Sequence, residues 1–205
     1  MPRHDKPVCV IANGVDLTDV EILPAPKNAH PVLTLVGTPG MSWHGVDKLI
    51  EFAKLYSDIT VNIVGYGPSD VDGGVPANVK LHGFLNSQQV KEVLSGTDLA
   101  CGTLAFHRNK MHEASALKVR EALTFGIPVL IAFRDTDLND VQVDTILRIP
   151  NTEDNVVSHA EEIRDFAYRM MGKRVDLNVV GPYLDQRKKE QKRLAFFKQV
   201  LAGKT

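Results

Sequence analysis

Residues 32–65 read VLTLVGTPGMSWHGVDKLIEFAKLYSDITVNIVG, and this stretch decides the fold. An apolar, β-branched run ends in Gly37, an amphipathic segment follows, and a second such run ends in Gly65. That pattern predicts a strand, a helix and a strand. Strands joined through a helix run parallel, and the same alternation continues along the chain. We therefore predict an α/β fold, a Rossmann-like three-layer α/β/α arrangement around one parallel sheet.

The predicted elements alternate along the whole chain. Strands are predicted at the short apolar runs 8–12, 32–36, 60–64, 79–82, 99–103, 128–132 and 146–149. Helices are predicted at 45–55, 87–94, 115–125, 156–171 and 183–201, with a weaker pattern at 138–143. In open parallel sheets, ligands bind outside the carboxyl ends of the strands. The glycines that follow three of these strands therefore mark the expected edge of a site: Gly37, Gly65 and Gly83.

Length, composition and charge are ordinary for a globular protein and indicate one large domain, or one domain with an appendage. The 205 residues carry 24 Lys and Arg against 25 Asp and Glu, a formal net charge of −1, so no nucleic-acid partner is expected. Cys9 and Cys101 lie in apolar runs and are expected to be reduced, buried thiols. No apolar run approaches the roughly 20 residues of a membrane span, and no signal peptide is recognisable. A cytoplasmic protein is expected.

The segment EASALKVREALTFGIP, residues 113–128, contains the candidate chemistry. Ser115 is a good N-cap, which places Glu113 in the loop before a helix and Glu121 inside it. The free N–H groups of the first helical turn would form an anion site between the two carboxylates. Those amides belong to Ala116, Leu117 and Lys118.

Two carboxylates on either side of a phosphate-binding helix terminus fit a ligand that consists of a sugar, a diphosphate and a ribose. Carboxylates accept hydrogen bonds from hydroxyl groups, and helix amides donate to phosphate. The spacing alone fits equally a solvent-exposed helix in which Glu121 pairs with Lys118 or Arg120.

The pair of glutamates eight residues apart, followed by GIPV at 126–129, resembles the signature of retaining glycosyltransferases of family 4. Four further stretches match that family in order. They are IANGVD at 11–16, VG at 36–37 with WHGVDKLI at 43–50, IVGYGP at 63–68, and NVKLHGFL at 78–85. The resemblance covers residues 11 to about 132. It implies the two-domain GT-B architecture, of which this chain would be the carboxyl-terminal half.

The resemblance also implies a role for each matching residue. Glu113 matches the glutamate that contacts the donor sugar near the reacting carbon, and is the expected catalytic residue. Glu121 matches the glutamate that binds the ribose hydroxyls, and Phe84 and Leu85 match the segment that meets the nucleobase. The remaining expected donor-binding residues are Gly37, Thr38, His44, Gly45, Gly65, Gly67, Ser115, Ala116, Leu117 and Lys118. The expected partner is a nucleoside-diphosphate sugar, and neither a metal nor a cofactor is implied.

The sequence departs from the family at the diphosphate. The family has an Arg after the first-strand glycine and a Lys before the helix glycine, whereas this chain has Thr38 and His44. His44 supplies positive charge only when protonated, and a partner-bonded histidine at the loop–helix junction fits this position equally well. We expect Lys118 and the neighbouring helix amides to take over part of that task.

A second departure concerns the acceptor. Enzymes of this family have an amino-terminal acceptor-binding domain, and this sequence begins where their carboxyl-terminal domain begins. The expected partner is that missing half or a separate subunit, and we expect donor binding without efficient transfer from this chain alone. By analogy, the acceptor is a lipid-linked or polysaccharide molecule at the inner membrane face.

Three segments are expected on this basis. Residues 1–30 form a lead-in strand and linker, 31–180 the donor-binding domain, and 181–205 a basic amphipathic helix. That helix fits peripheral contact with an anionic membrane. It also fits a helix packed on the domain through Leu194, Phe197 and Val200.

Other functions fit less well. A dinucleotide-binding dehydrogenase needs Gly-x-Gly-x-x-Gly, and the nearest stretch, GYGPSD at 65–70, lacks the third glycine. A glycosidase needs its two carboxylates to face each other across one bond, which two residues at different heights of a helix do not. The strongest alternative is a non-catalytic nucleotide-sugar-binding or regulatory α/β domain. Thr38 and His44 favour it, whereas Glu113 and Glu121 disfavour it.

Overall fold

The structure, a computed structural model, describes residues 6–203. Its strands are β1 (Val32–Val36), β2 (Thr60–Val64), β3 (Val79–Leu81), β4 (Leu99–Cys101), β5 (Glu113–Ala114), β6 (Val129–Ile131), β7 (Arg134–Asp135) and β8 (Ile146–Arg148). Its α-helices are α1 (Val46–Leu55), α2 (Ser87–Ser95), α3 (Leu117–Thr124), α4 (Asn155–Ser158), α5 (Ala160–Met170), α6 (Leu177–Leu184) and α7 (Gln186–Leu201). Short 3-10 turns cover Ser42–His44, Pro68–Asp70 and Phe106–Asn109.

Six strands form one parallel sheet in the order β3-β2-β1-β4-β6-β8. The strand β1 pairs with β2 on one side and with β4 on the other, so the chain first builds outward to β3 and then returns to build toward β8. The order reverses between β1 and β4. The connections that leave these two strands run in opposite directions. The carboxyl ends of β1 and β4 therefore border a crevice.

Apolar clusters cover both faces of this sheet, as the predicted fold class requires. One cluster joins the sheet to α1, α4 and α5, and the other joins it to α2, α3 and α6. Alternate residues of a strand enter opposite clusters: on β4, Leu99 and Cys101 enter the first and Ala100 the second. This alternation confirms the three-layer α/β/α prediction.

Six of the seven predicted strands are present, although β3, β4, β6 and β8 are one or two residues shorter than predicted. Residues 8–12 form no strand: Val8 and Val10 are largely exposed and have no neighbouring strand to pair with. In this part of the chain Val15 makes a single bridge with Asp185. The structure also contains a small parallel pair, β5 with β7, which the sequence pattern did not predict.

Two helix predictions are wrong in extent and one is wrong in kind. The predicted helix 156–171 is two helices separated at His159, and residues 183–201 contain the end of α6 and all of α7. Asp185 separates these two, because its side chain accepts a hydrogen bond from the Arg187 amide and begins α7 as a new helix. Residues 138–143 form no helix. The Asp135 carboxylate accepts hydrogen bonds from the amides of Asp137 and Leu138, and these bonds fix a turn instead.

The segment that contains Val15 is bonded to the junction of α6 and α7. The amide of Val15 donates to the Leu184 carbonyl, and the amide of Gln186 donates to the Val15 carbonyl. The three apolar residues predicted to pack α7 against the domain are exposed: Leu194, Phe197 and Val200 are 54%, 53% and 38% exposed. The packed-helix prediction is therefore wrong for these three side chains. Residues 1–5 and 204–205 of the predicted first and last segments lie outside the described residues.

The two cysteines differ. Cys101 is buried in the core, and burial raises the pKa of its thiol to about 12. Cys9 is only half-buried, so the prediction of a buried thiol is wrong there. Among the helices of residues 6–203, none combines the length and apolar character that crossing a bilayer requires.

Candidate functional site

A cleft of about 850 Å³ opens at the carboxyl ends of β1 and β2, beside the reversal of strand order. It brings together predicted site residues from three loops and one helix. They are Gly37, Thr38, Gly65, Phe84, Leu85, Lys118 and Glu121. The predicted donor-binding residues that are farthest apart in the sequence therefore share one cavity.

Glycine is required where the loops after β1 and β2 meet. Gly65 has a φ of +96°, and a Cβ on it would lie 2.1 Å from the carbonyl oxygen of Gly37. A Cβ on Gly37 would lie 2.6 Å from Nδ1 of His44. Any side chain at either position would displace backbone or ring atoms that line the cleft.

The amino-terminal end of α3 differs in detail from the prediction. Ala116, without a capping side chain, precedes the first helical residue, so the prediction that Ser115 caps the helix is wrong. The Ser115 hydroxyl instead accepts a hydrogen bond from the Asn13 amide at 2.7 Å. The Asn13 side chain donates to the Ser115 carbonyl, also at 2.7 Å. The Ser115 hydroxyl, which the local pattern assigned to capping α3, is therefore used in a tertiary contact with Asn13.

The amides that the prediction assigned to an anion are nevertheless unpaired among the described residues. Within residues 6–203, the amides of Ala116, Leu117 and Lys118 have no hydrogen-bond acceptor in the protein. A second cleft of about 180 Å³ is lined by these three residues and by His44. Lys118 lines both clefts, so it connects the helix terminus with the larger cavity.

Glu121 and Lys118 form an ion pair on the exposed face of α3. Lys118 Nζ lies 3.6 Å from Glu121 Oε2, and the two side chains are 60% and 44% exposed. The pairing weighed in the sequence analysis is therefore present for Lys118. Arg120 is not part of it because Arg120 is fully buried. An exposed pair of this kind contributes little to stability, so a ligand can replace it at small cost.

Glu113 stands apart from this cavity. It lies on β5 and not in a loop, because β5 pairs with β7 with Glu113 opposite Arg134. Its carboxylate is half-exposed, 3.7 Å from Arg134 Nε, and lines neither cleft. The structure thus places Glu121 beside Lys118 in one cleft and Glu113 outside it, while contact of one ligand with both glutamates remains a prediction.

His44 is a partner-bonded histidine. Its Nδ1 lies 2.8 Å from the Tyr66 hydroxyl, which donates to the Thr38 carbonyl at 2.7 Å, and the Thr38 amide approaches Nδ1 at 3.3 Å. Burial lowers the pKa of His44, and its hydrogen bond to the Thr38 backbone opposes this only in part. Burial therefore disfavours the charged form of the ring.

Two other predicted glycines serve the loops and not the cavity surface. Gly45 has a φ of +76° at the start of α1, and a Cβ there would meet Leu104 at 2.9 Å. The Gly67 amide donates to the Asp70 carboxylate at 2.7 Å. Neither glycine lines the two clefts.

Arg108 fixes the loop between β1 and α1, a role that the sequence did not indicate. Its guanidinium bonds both carboxylate oxygens of Asp47, at 2.9 and 2.7 Å, and donates to the Ser42 carbonyl at 3.0 Å. It also pairs with Glu153, which in turn contacts His107. These charged groups form ion pairs with one another. The pairs, and not solvent alone, therefore fix the conformation of the loop.

Arg120 anchors the buried face of α3 and was likewise missed. It makes two hydrogen bonds to the fully buried Asp135, at 2.9 and 3.1 Å, and its Nε donates to the Asn13 carbonyl at 2.8 Å. An arginine inside an amphipathic pattern reads as a surface residue, because only the fold reveals its partner.

Among residues 6–203, no group of three or more His, Cys, Asp or Glu side chains is placed to hold a metal ion.

Comparison with solved structures shows the fold. The chain matches Staphylococcus aureus TarM, solved with fondaparinux, α-GlcNAc-glycerol and UDP, at a TM-score of 0.64 and 16% identity, covering 95% of this chain and 40% of TarM. It matches Anabaena HepE, solved with UDP-glucose, at a TM-score of 0.60 and 16% identity, covering 93% of this chain and 57% of HepE.

A third match is the carboxyl-terminal domain of a group 1 family glycosyl transferase, LpcC from Francisella tularensis. Its TM-score is 0.55 at 16% identity, and 84% of this chain covers 100% of that domain. No protein-family model matches the sequence, and no curated protein matches it significantly. This chain spans only part of TarM and HepE, and it has the fold of the carboxyl-terminal half of GT-B glycosyltransferases.

Proposed function

We propose that this chain is the donor-binding domain of a retaining glycosyltransferase. It would bind a nucleoside-diphosphate sugar, whose sugar passes to an acceptor held by an amino-terminal domain or a separate subunit. The observation that carries the proposal is the cleft that joins the β1 and β2 glycine loops to Lys118 and Glu121 at the reversal of strand order. TarM and HepE, which share the fold, were solved with UDP and UDP-glucose respectively.

Each part of the cleft suits one part of the donor. The amides at the start of α3 and the Lys118 ammonium supply positive potential for the diphosphate. The Glu121 carboxylate can accept hydrogen bonds from the ribose hydroxyls. The Phe84 ring, 92% exposed beside the cavity, offers an apolar face to the nucleobase.

The chemistry follows from stabilising the leaving group. As the bond between sugar and diphosphate breaks, negative charge develops on the phosphate oxygens, and preorganised donors there lower the barrier. Glu113, which faces solvent near the same end of α3, would contact the hydroxyls of the transferred sugar. Its distance from the two clefts fits a catalytic surface completed by the acceptor-binding half.

Ligand binding to the whole chain tests this proposal. A ligand that binds only the native state at about 100 times its Kd adds about 2.7 kcal/mol of stability, so a thermal-shift series with UDP, GDP, ADP and their glucose esters identifies the donor class. Calorimetry then gives the affinity. The Glu121→Ala variant should weaken binding, whereas Glu162→Ala, an exposed change on α5, should not. If no nucleoside diphosphate or nucleotide-sugar alters the melting temperature, the proposal is wrong.

A non-catalytic nucleotide-sugar-binding domain is the second candidate, because Thr38 and His44 replace two expected cations. The donor sugar distinguishes the two functions. For a transferase, Glu113→Gln should weaken UDP-glucose binding more than UDP binding, since only the former contains the transferred sugar. For a binding domain that does not engage the sugar at Glu113, the two affinities should change equally.

A further inference from the structure

Thr38 and His44, which stand where the family resemblance implies two cations, form a hydrogen-bonded network with Tyr66. His44 stands in the second cleft with the three free amides at the start of α3. Its Nδ1 lies 2.8 Å from the Tyr66 hydroxyl, and that hydroxyl donates to the Thr38 carbonyl at 2.7 Å. Tyr66 is itself buried, only 4% exposed, and burial raises the pKa of its phenol to about 12. The hydroxyl therefore keeps its single proton at any physiological pH.

These contacts assign the proton of the His44 ring. The two shorter contacts are satisfied together when the Tyr66 hydroxyl donates to the Thr38 carbonyl and its oxygen accepts from a proton on Nδ1. The hydrogen bond from the Thr38 amide to Nδ1, at 3.3 Å the longest of the three, belongs to the other tautomer, so the assignment follows the two shorter contacts. In the neutral ring, Nε2 is then unprotonated, and it makes no hydrogen bond within residues 6–203.

We propose that Tyr66 is a positioning residue that holds His44 with its Nε2 available to take up a proton when the donor diphosphate binds. This inference rests on the proposed function. The Nδ1–H bond to Tyr66 exists in both the neutral ring and the imidazolium, so proton uptake at Nε2 requires no rearrangement. His44 thereby becomes a cation only when the anion is present, which replaces the permanent cation that the family resemblance led us to expect.

The direction of the coupling follows from the surroundings of His44. Burial lowers its pKa in the protein alone, and a diphosphate in the cleft would raise it by Coulomb attraction. The titratable groups around the ring are the Tyr66 hydroxyl, the buried Cys101 thiol and the Lys118 ammonium. Lys118 opposes the uptake, and the thiol and phenol remain neutral since burial raises the pKa of both.

The first test needs no ligand. Long-range proton–nitrogen NMR of histidine-labelled protein at about pH 7.5 should show His44 as the Nδ1–H tautomer, with the signal identified by its loss in His44→Gln. In Tyr66→Phe the ring loses its acceptor, and the population should move toward Nε2–H with Thr38 as donor. An Nε2–H tautomer in the unmodified protein overturns the assignment, whether or not the chain binds a nucleotide.

The second test measures proton uptake on binding. Calorimetry of UDP-glucose in buffers of different ionisation enthalpy gives the number of protons taken up, and this ligand has no phosphate group that titrates near neutral pH. We expect a substantial fraction of one proton near pH 7 and an affinity that rises by up to about tenfold per pH unit as the pH falls, the limit for one proton. The uptake should disappear in His44→Gln.

Three variants complete the design. His44→Lys should bind UDP-glucose without proton uptake, because its cation is permanent. Tyr66→Phe should bind more weakly and take up less of a proton. His82→Gln is the control, because His82 is a part-buried histidine that bonds Asn62 and lines neither cleft. This variant should bind UDP-glucose and take up protons as the unmodified protein does. Binding without uptake in the unmodified protein contradicts the inference but leaves the proposed function intact.

Discussion

The two walls of the proposed donor site are built on opposite principles. On the side of the β1–α1 loop, His44, Tyr66 and Thr38 are bonded to one another, and Arg108 fastens the loop from behind. On the α3 side, Lys118 and Glu121 are exposed, and within residues 6–203 they form an ion pair with each other. The first wall contributes bonded, uncharged groups, and the second contributes exposed charge. Affinity for an anion should therefore depend chiefly on α3, while the loop sets geometry and pH response.

The largest expected effect concerns what holds the α3 wall in place. Arg120→Met leaves Asp135 as a buried charge without its partner, and we expect a loss of about 3–5 kcal/mol in the free energy of unfolding, measured with urea. The double variant Arg120→Met/Asp135→Asn removes both charges but keeps an acceptor for the Asp137 and Leu138 amides. It should recover much of the loss. A double variant as unstable as the single one would show that the pair is not the anchor.

Removing the exposed Lys118 ammonium should have the next largest effect. Lys118→Ala is expected to weaken UDP binding by more than about tenfold, since charge-assisted bonds to phosphate are the strong ones. Lys91→Ala is the matched control: Lys91 lines the same cleft, but its ammonium lies 3.1 Å from the Glu21 carboxylate. Calorimetry compares the two. Equal losses would mean that only the general potential of the cleft matters.

The carboxylate on α3 should act through the ribose. Glu121→Gln is expected to weaken UDP binding by about tenfold, the value of a hydrogen bond to a charged group. The same substitution should leave binding of 2′,3′-dideoxyuridine diphosphate almost unchanged, because that ligand lacks the hydroxyls. If both ligands lose affinity equally, Glu121 acts on something other than the ribose.

The smallest effect concerns the pH dependence of stability that comes from two part-buried histidines, His44 on the loop side and His82 outside both clefts. Burial lowers the pKa of both His44 and His82, so near and below the ordinary histidine pKa the unfolded chain binds more protons than the native one. Stability should therefore rise as the pH increases through that range and fall as the pH decreases. His44→Gln/His82→Gln should flatten the dependence in urea unfolding measured between about pH 5 and pH 7. An unchanged slope in the double variant would assign it to other groups.

The predicted fold and the candidate site differ in how far the sequence could reach. The alternation of strands and helices was readable because burial on both faces of a parallel sheet imposes a local period. The strand at 8–12 failed since an apolar run forms a strand only where another strand is available to pair. Residues Gly37, Gly65, Lys118 and Glu121 were found through motif spacing, and the fold brings all four to one cleft.

The sequence did not predict the roles of other residues, because those roles depend on partners that are distant in sequence. Ser115 was predicted to cap its own helix, but Asn13, far away in the sequence, uses its hydroxyl. Arg120 read as a surface residue, and its burial follows from Asp135 on β7, a strand too short to predict. Glu113 was placed in a loop, whereas pairing of β5 with β7 sets its direction.

The sequence by itself determined the parallel α/β architecture, the glycine turns at the strand ends and the helix with Lys118 and Glu121. Each of these arises from periodicity or backbone freedom within a few consecutive residues. Only the tertiary structure decided that His44 is held by Tyr66, that Arg120 is an anchor and that Glu113 lies outside the main cleft. Those outcomes depend on contacts between segments that are distant in sequence, and no local pattern encodes which polar group will find which partner.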